Sequence, residues 1–429
     1  MTIESRPSRP DADEDIKTWV STSYRRHLGK GRAGLAEMFG GHVEVYSTGA
    51  WLQTSDGDKY LNVGGYGVFI TGARHPAVIN EVERQLHRHP VASRLFLEPV
   101  VARAARMLTD VAPTGLERVH FSGSGAEAVE TAIKMARANG RTRLISMENG
   151  YHGKTMGALS VTAKRVFQDP FRPLLTDVTH VAYGQACALG DELARHPGRA
   201  CVIVEPVQGE AGVIIPPAGY LREISALCRQ FDAMLVLDEI QTGLGRLGSW
   251  WGAERDAVVP DILLAGKGLG GGVLPAAATL ATADAFGILE RDPFLHTSTF
   301  SGSPLVMAAV CGAIIALKDD NLIDRAAALG NRLLPQIRQI IDHHFTGFAH
   351  NVRGVGLLIG IEVDEPGLAG ELLLSLIERG VIANHSLNSE RVLRLTPPAV
   401  LTETDVQFLL EALDRAAATT VARFRPQEG

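Results

Sequence analysis

Seven short candidate strands recur through the middle of the chain: Arg118 to Phe121, Thr142 to Ser146, Val178 to Tyr183, Cys201 to Val204, Met234 to Leu237, Ile262 to Leu264 and Ala277 to Ala281. Helical patterns lie between most of them. Runs that are apolar at successive positions suit strands buried on both faces rather than on one. This alternation predicts an α/β fold with a mostly parallel, seven-stranded sheet covered by helices.

The flanks read differently. Residues 1 to 15 are polar and Pro-rich and are expected to be disordered, so 16–70 opens the folded chain with a helix over Ile16 to Leu28 and a hairpin over His42 to Asn62. The main sheet is assigned to 71–318. After a long apolar helix from Pro304 to Leu317, residues 319–429 carry an amphipathic helix, Leu322 to His343. Strands over Gly354 to Val363, Val381 to Ala383 and Val392 to Leu395 follow, with helices over Gly370 to Arg379 and Glu403 to Ala418. That is a smaller α+β domain, expected to pack with the 16–70 segment.

Composition excludes several classes. With 45% hydrophobic and 21% charged residues and a formal charge of −6 over 429 residues, there is no basic footprint for nucleic acid. Four cysteines without CxxC spacing indicate neither a metal site nor a disulfide framework. No apolar run approaches the roughly 20 residues of a membrane span, and no secretory leader pattern opens the sequence. The expected location is cytoplasmic.

Two charged residues stand where buried runs stop. Asp238 ends the run from Met234, and Lys267 follows Ile262 to Ala265 among Gly266, Gly268, Gly270, Gly271 and Gly272. In open α/β sheets ligands gather at the carboxyl edge of the strands. An amine and an acid at that edge match the needs of pyridoxal phosphate: a lysine to form a Schiff base, and an acid to keep the pyridine nitrogen protonated. Between Phe121 and Lys134, the Ser122-Gly-Ser-Gly-Ala126 turn opens a helix, and a helix N-terminus with free N–H groups attracts a phosphate. The same text contains Gly123-x-Gly125-x-x-Ala128, with Glu148 at about the spacing of a ribose-binding acid, so a dinucleotide-binding reading stands beside the first.

The wider text resembles the class III (subgroup II) aminotransferases of pyridoxal-phosphate fold type I. The resemblance rests on Asp238-Glu-Ile-Gln-Thr-Gly-Leu-Gly-Arg246 and Ala265-Gly-Lys-Gly-Leu-Gly-Gly-Gly272, with Ile240 and Gly266 where valine and alanine are commoner. It implies that Lys267 holds the cofactor and moves the proton, and that Asp238 faces the pyridine nitrogen. Ser124, Gly125 and Ala126 would bind the phosphate. Tyr151, in Gly150-Tyr-His-Gly-Lys154, and Ile240 would cover the two ring faces, with Gln241 near the phenolic oxygen and His152 and Glu205 beside the ring. Thr299 would reach the phosphate of a neighbouring subunit, which implies a homodimer with shared active sites that could pair into a tetramer.

Glu210, in the EPVQGEAGV segment, is implied to pair with Arg394 and to release it for a substrate carboxylate. Lys154 stands where members binding a distal carboxylate carry arginine, and a lysine lacks the planar fork. In this it is similar to the putrescine branch, as are the runs around His152 to Lys164 and Asp292 to Pro304. The expected reaction is transfer of a terminal (ω) amino group from putrescine or a related amine to 2-oxoglutarate or pyruvate, by a ping-pong route. Acetylornithine or ornithine as donor is the alternative, as is a specialised-metabolite substrate. A decarboxylase or aminomutase would share Asp238 and Lys267.

Overall fold

All seven candidate strands pair into one sheet, in the order Arg118–Ser122, Ala277–Ala281, Ile262–Ala265, Met234–Asp238, Ala200–Val204, Arg143–Met147, Val178–Val181. The protein is described from a computed structural model covering residues 15–424. The disorder expected for 1 to 15 therefore lies outside the described residues, except for Asp15, whose side chain accepts from Thr18 N and caps the helix Ile16–Ser23.

Ala277–Ala281 runs antiparallel to both its neighbours, and the remaining pairings are parallel. A single reversed strand leaves the other six pointing the same way. Ser122, Met147, Val204, Asp238 and Ala265 thus all end at one edge, and the loops after them converge there.

Alternation along the central strands explains why both of their faces carry apolar residues. Met234, Val236, Ile262 and Leu264 join a cluster with Ala128, Val129, Ala132 and Ile133 of the helix Gly125–Ala138. Leu235, Leu237, Leu263 and Ala265 face the opposite layer with Trp251, Leu269 and Met307. Each fully buried Leu or Ile contributes roughly 1.5–3 kcal/mol, and the polar residues buried within strands are hydrogen-bonded, Thr279 Oγ1 donating to Ala128 O at 3.1 Å and Ser146 Oγ to Val161 O at 2.7 Å.

Two flanking elements depart from the sequence reading. The expected hairpin is a three-stranded meander, Glu44–Thr48, Trp51–Thr54 and Lys59–Asn62, to which Val381–Ile382 adds a parallel fourth strand. The run Gly354 to Val363 divides into His350–Val355 and Leu358–Val363, turning at Gly356 with φ 55°. A Cβ there would run into the Leu247 backbone, Cα at 2.7 Å, so the turn is tied to close contact from a distant loop. The helix Lys30–Met38 had no sequence signal because Ala33 is its one buried residue.

Among the described residues no helix is long and apolar enough to cross a membrane.

Candidate active site

The convergent loops enclose a cavity of about 240 Å³ lined by Gly125, Ala126, Tyr151, His152, Gly153, Lys154, Glu205, Glu210, Asp238, Ile240, Gln241 and Lys267. Eleven of the fourteen residues singled out in the sequence are among them. Arg394 lies behind Glu210, Ser124 sits at the helix cap, and Thr299 lies elsewhere on an exposed loop.

Lys267 lies one residue beyond its strand, in a left-handed backbone conformation with φ 43°. A lysine in that region costs of order 1–3 kcal/mol, which the surrounding fold supplies. Gly266 precedes it with a Cβ position 3.2 Å from Ile240 Cγ2, so a larger residue would press on the cavity wall. Burial lowers the Lys267 pKa; Glu210 opposes that, Arg394 reinforces it, and Asp238 and Glu205 oppose. An amine so placed is a better nucleophile near neutrality than an exposed lysine.

Asp238 is held from two sides. Its Oδ1 accepts from Ile240 N at 3.1 Å, and its Oδ2 accepts from His152 Nδ1 at 2.7 Å. Burial alone would lower the His152 pKa, but the hydrogen bond and charge of Asp238, then Glu205, raise it. His152 looked like a lone histidine in the sequence, with no signal for a partner 86 positions away. Glu205 accepts from Tyr151 N at 3.0 Å and Gly209 N at 3.3 Å. Burial pushes its carboxyl up to about 7, against His152 and those two N–H groups and with Asp238.

The turn that opens the helix Gly125–Ala138 is a tight junction. Ser124 Oγ accepts from Glu127 N at 3.3 Å, so the side chain is engaged as helix cap and any anion contact falls to the backbone. A Cβ on Gly125 would stand 2.8 Å from Ile240 Cδ1, and one on Gly153 2.7 Å from Ala126 Cβ. Glycine leaves the space open.

Gln241 Nε2 and Oε1 are both buried without a hydrogen-bond partner among the described residues. An amide orphaned against a cavity needs an acceptor and donor from something that enters it. Together with the helix N-terminus, the Asp238 carboxylate and the Lys267 amine, this donor set fits pyridoxal phosphate. It does not fit a dinucleotide, which has no use for a lysine at this edge.

Behind the cavity wall, Arg394 Nη1 lies 2.8 Å from Glu210 Oε1, and both residues are buried. That contact is an ion pair by distance only, since none of the three guanidinium nitrogens makes an aligned hydrogen bond. Arg246, equally buried, contrasts with it: its donors go to the carbonyls of Leu357, Pro397 and Gly67, a structural clamp. Lys154 Nζ rests 4.0 Å above the Phe167 ring at the cavity rim.

A strand-end lysine, a neighbouring strand-end aspartate and a glycine-lined helix N-terminus define an enzyme that works through pyridoxal phosphate on amines. The chain belongs to the class-III aminotransferase family, whose model matches residues 41–417. It is similar to the ornithine aminotransferase of Toxoplasma gondii ME49, with 31% identity over 96% of this chain and 97% of that one and a TM-score of 0.88. An (S)-enantioselective ω-transaminase from Thermomicrobium roseum is 26% identical over 95% and 99%, TM-score 0.87. A mutant ω-transaminase from Pseudomonas jessenii is 25% identical over 92% and 96%, TM-score 0.84. The protein is a pyridoxal-phosphate-dependent aminotransferase with an amine donor and a keto-acid acceptor.

Proposed function

We propose that the donor is a terminal (ω) amine, putrescine or a related diamine, and the acceptor 2-oxoglutarate or pyruvate, in two alternating half-reactions. The observation that carries this is the Glu210–Arg394 pair. With Glu210 in place the cavity wall is neutral and accepts an uncharged or cationic chain; with Glu210 turned away, the unsatisfied guanidinium donors receive a carboxylate. A wall with two states suits a donor that lacks a carboxylate and an acceptor that has one.

Pyridoxal phosphate supplies the aldehyde that captures the amine and the ring that stores its electrons. Lys267 would hold the cofactor and carry the proton that the exchange requires. Asp238, oriented by His152, would keep the ring nitrogen protonated, with Tyr151 and Ile240 placed to bound the ring and Gln241 to meet its phenolic oxygen. In this reading 71–318 carries the cofactor, and 16–70 with 319–429 brings Arg394 to it.

Lys154 supports the diamine choice, because its ammonium sits on Phe167 and offers a substrate no bidentate fork. The 31% identity to an ornithine aminotransferase favours ornithine or acetylornithine as the second reading. A panel of amines against a fixed keto acid decides between them. Putrescine or cadaverine is expected to exceed acetylornithine and ornithine in kcat/KM, and the reverse order would replace the first reading by the second.

A homodimer is part of the same proposal. Leu95, Phe96, Leu97, Phe294 and Phe300 are all at least two-thirds exposed, and Arg94 Nη1 donates to Ser298 O between the two segments that bear them. An apolar face of this kind asks for a cover, and a second copy would bring Thr299 towards the neighbouring phosphate site. Sedimentation of the protein and of Phe300→Asp tests it; a monomeric wild-type protein with full activity would sink the shared site, and the same run reports any tetramer.

A further inference from the structure

The Glu210 carboxylate has a second attachment. Its Oε2 accepts from Leu387 N at 2.9 Å, and its backbone carbonyl accepts from Asn388 N at 2.9 Å. Leu387 and Asn388 are the turn between the strands Asn384–Ser386 and Ser389–Leu395, the latter carrying Arg394. The turn that grips the acid thus belongs to the same hairpin as the base it pairs with.

That turn is fastened in turn to the cofactor-side loops. Asn388 Nδ2 donates to Asn149 O at 2.8 Å, two residues before Tyr151, and Lys164 Nζ donates to Asn388 O at 2.8 Å. Ser386 Oγ reaches Gly209 O at 3.4 Å. Asn388 is 7% exposed, so its bond to Asn149 is sheltered from water, where hydrogen bonds count for more. Three contacts from one turn therefore converge on Glu210 and its neighbour Gly209, and two more tie the turn to Asn149 and Lys164.

We propose that the Ser386–Asn388 turn is a latch that sets the affinity of Arg394 for a carboxylate, with Asn388 and Lys164 as positioning residues acting through Glu210. While the turn is fastened, Leu387 N holds Glu210 against Arg394. Carboxylate binding has to break that hold as well as the ion pair. Loosening the turn removes part of the cost of freeing Arg394, because Glu210 then loses entropy each time it returns to a mobile donor. The inference rests on the reading of Arg394 as the carboxylate site and adds what decides how readily it is free.

The test uses the holoenzyme and glutarate, an unreactive dicarboxylate, with binding followed by calorimetry. Asn388→Ala and, separately, Lys164→Ala are expected to tighten glutarate binding about 3- to 10-fold, the worth of one sheltered hydrogen bond. The KM for the keto acid should fall in parallel, while the KM for a carboxylate-free amine does not fall and kcat changes less than 2-fold, roughly. Melting temperatures identify a variant that is misfolded, in which case the other decides. Arg394→Lys serves as the reference: it should weaken glutarate at least 10-fold or so. If Arg394→Lys weakens glutarate but neither latch variant tightens it, the latch is wrong and the carboxylate site stands. If Arg394→Lys leaves glutarate unchanged, the carboxylate site itself fails and the latch with it.

Discussion

Asp238 Oδ2 and His152 Nδ1 lie 2.7 Å apart with both side chains buried, so the acid facing the cavity is aimed by an imidazole rather than by solvent. Its other oxygen is held by Ile240 N at 3.1 Å, which fixes the carboxylate plane. Asp238→Asn keeps the shape and loses the charge. It is expected to lower kcat about 10²–10³-fold, the usual cost of removing a preorganised electrostatic partner. His152→Phe should cost less, about 10-fold, with the cofactor's absorbance titration shifted, since it acts only through Asp238. Stopped-flow half-reactions and a spectral pH titration check both.

Lys267→Ala should lower turnover more than about 10³-fold and abolish covalent trapping of the cofactor by borohydride. Peptide mapping after reduction of the wild-type protein is expected to place the modification on Lys267. Modification at any other lysine would overturn its role.

Gly125→Val tests the phosphate end. The added atoms start 2.8 Å from Ile240 Cδ1, and the side chain that must yield is the one assigned to a ring face. Overpacking of this kind costs about 1–3 kcal/mol, so the cofactor's Kd should rise roughly 5- to 100-fold with little change in the melting temperature of the cofactor-free protein. Equilibrium dialysis measures it.

Glu205 makes a prediction about pH. Its carboxyl, raised by burial from 4.5 to about 7, stays protonated in the folded protein where an unfolded chain has already released the proton. The folded state binds more protons in that window, so the contribution of Glu205 to stability falls as pH rises from about 4.5 to 7 and is level above it. Relative to Glu205→Gln, which does not titrate, the cofactor-free wild type should lose roughly 3 kcal/mol between pH 4.5 and 8. Urea unfolding of both proteins across that range reads the difference. A constant gap would mean that Glu205 ionises like an exposed acid.

Much of this was legible in the residues. The central strands Ala200–Val204, Met234–Asp238, Ile262–Ala265 and Ala277–Ala281 are buried along their whole length, and burial on both faces writes a nearly uninterrupted apolar run, whereas Arg118–Ser122 and Val178–Val181 are half-buried and mix polar residues with apolar ones. Asp238 and Lys267 were visible for the same reason, as charges that could appear only where such runs stop. The turn at Gly356 and the helix Lys30–Met38 were not. The first depends on the Leu247 backbone arriving from more than a hundred residues away, and the second buries too little to show a stripe.

What the chain determined by itself was local: where strands end, where a helix begins on glycine, which residues carry charge at those ends. Which of those ends meet was decided by the order of strands in the sheet and by the return of the C-terminal hairpin. Met234–Asp238 lies between Ile262–Ala265 and Ala200–Val204, which brings Lys267, Asp238 and Glu205 to one edge, and the hairpin at Asn384–Leu395 then sets Arg394 behind Glu210. Contacts such as His152 with Asp238, or Asn388 with Asn149, join positions far apart in the chain through side chains that carry no periodic pattern. Their partners are set by packing, and packing exists only once the chain has folded.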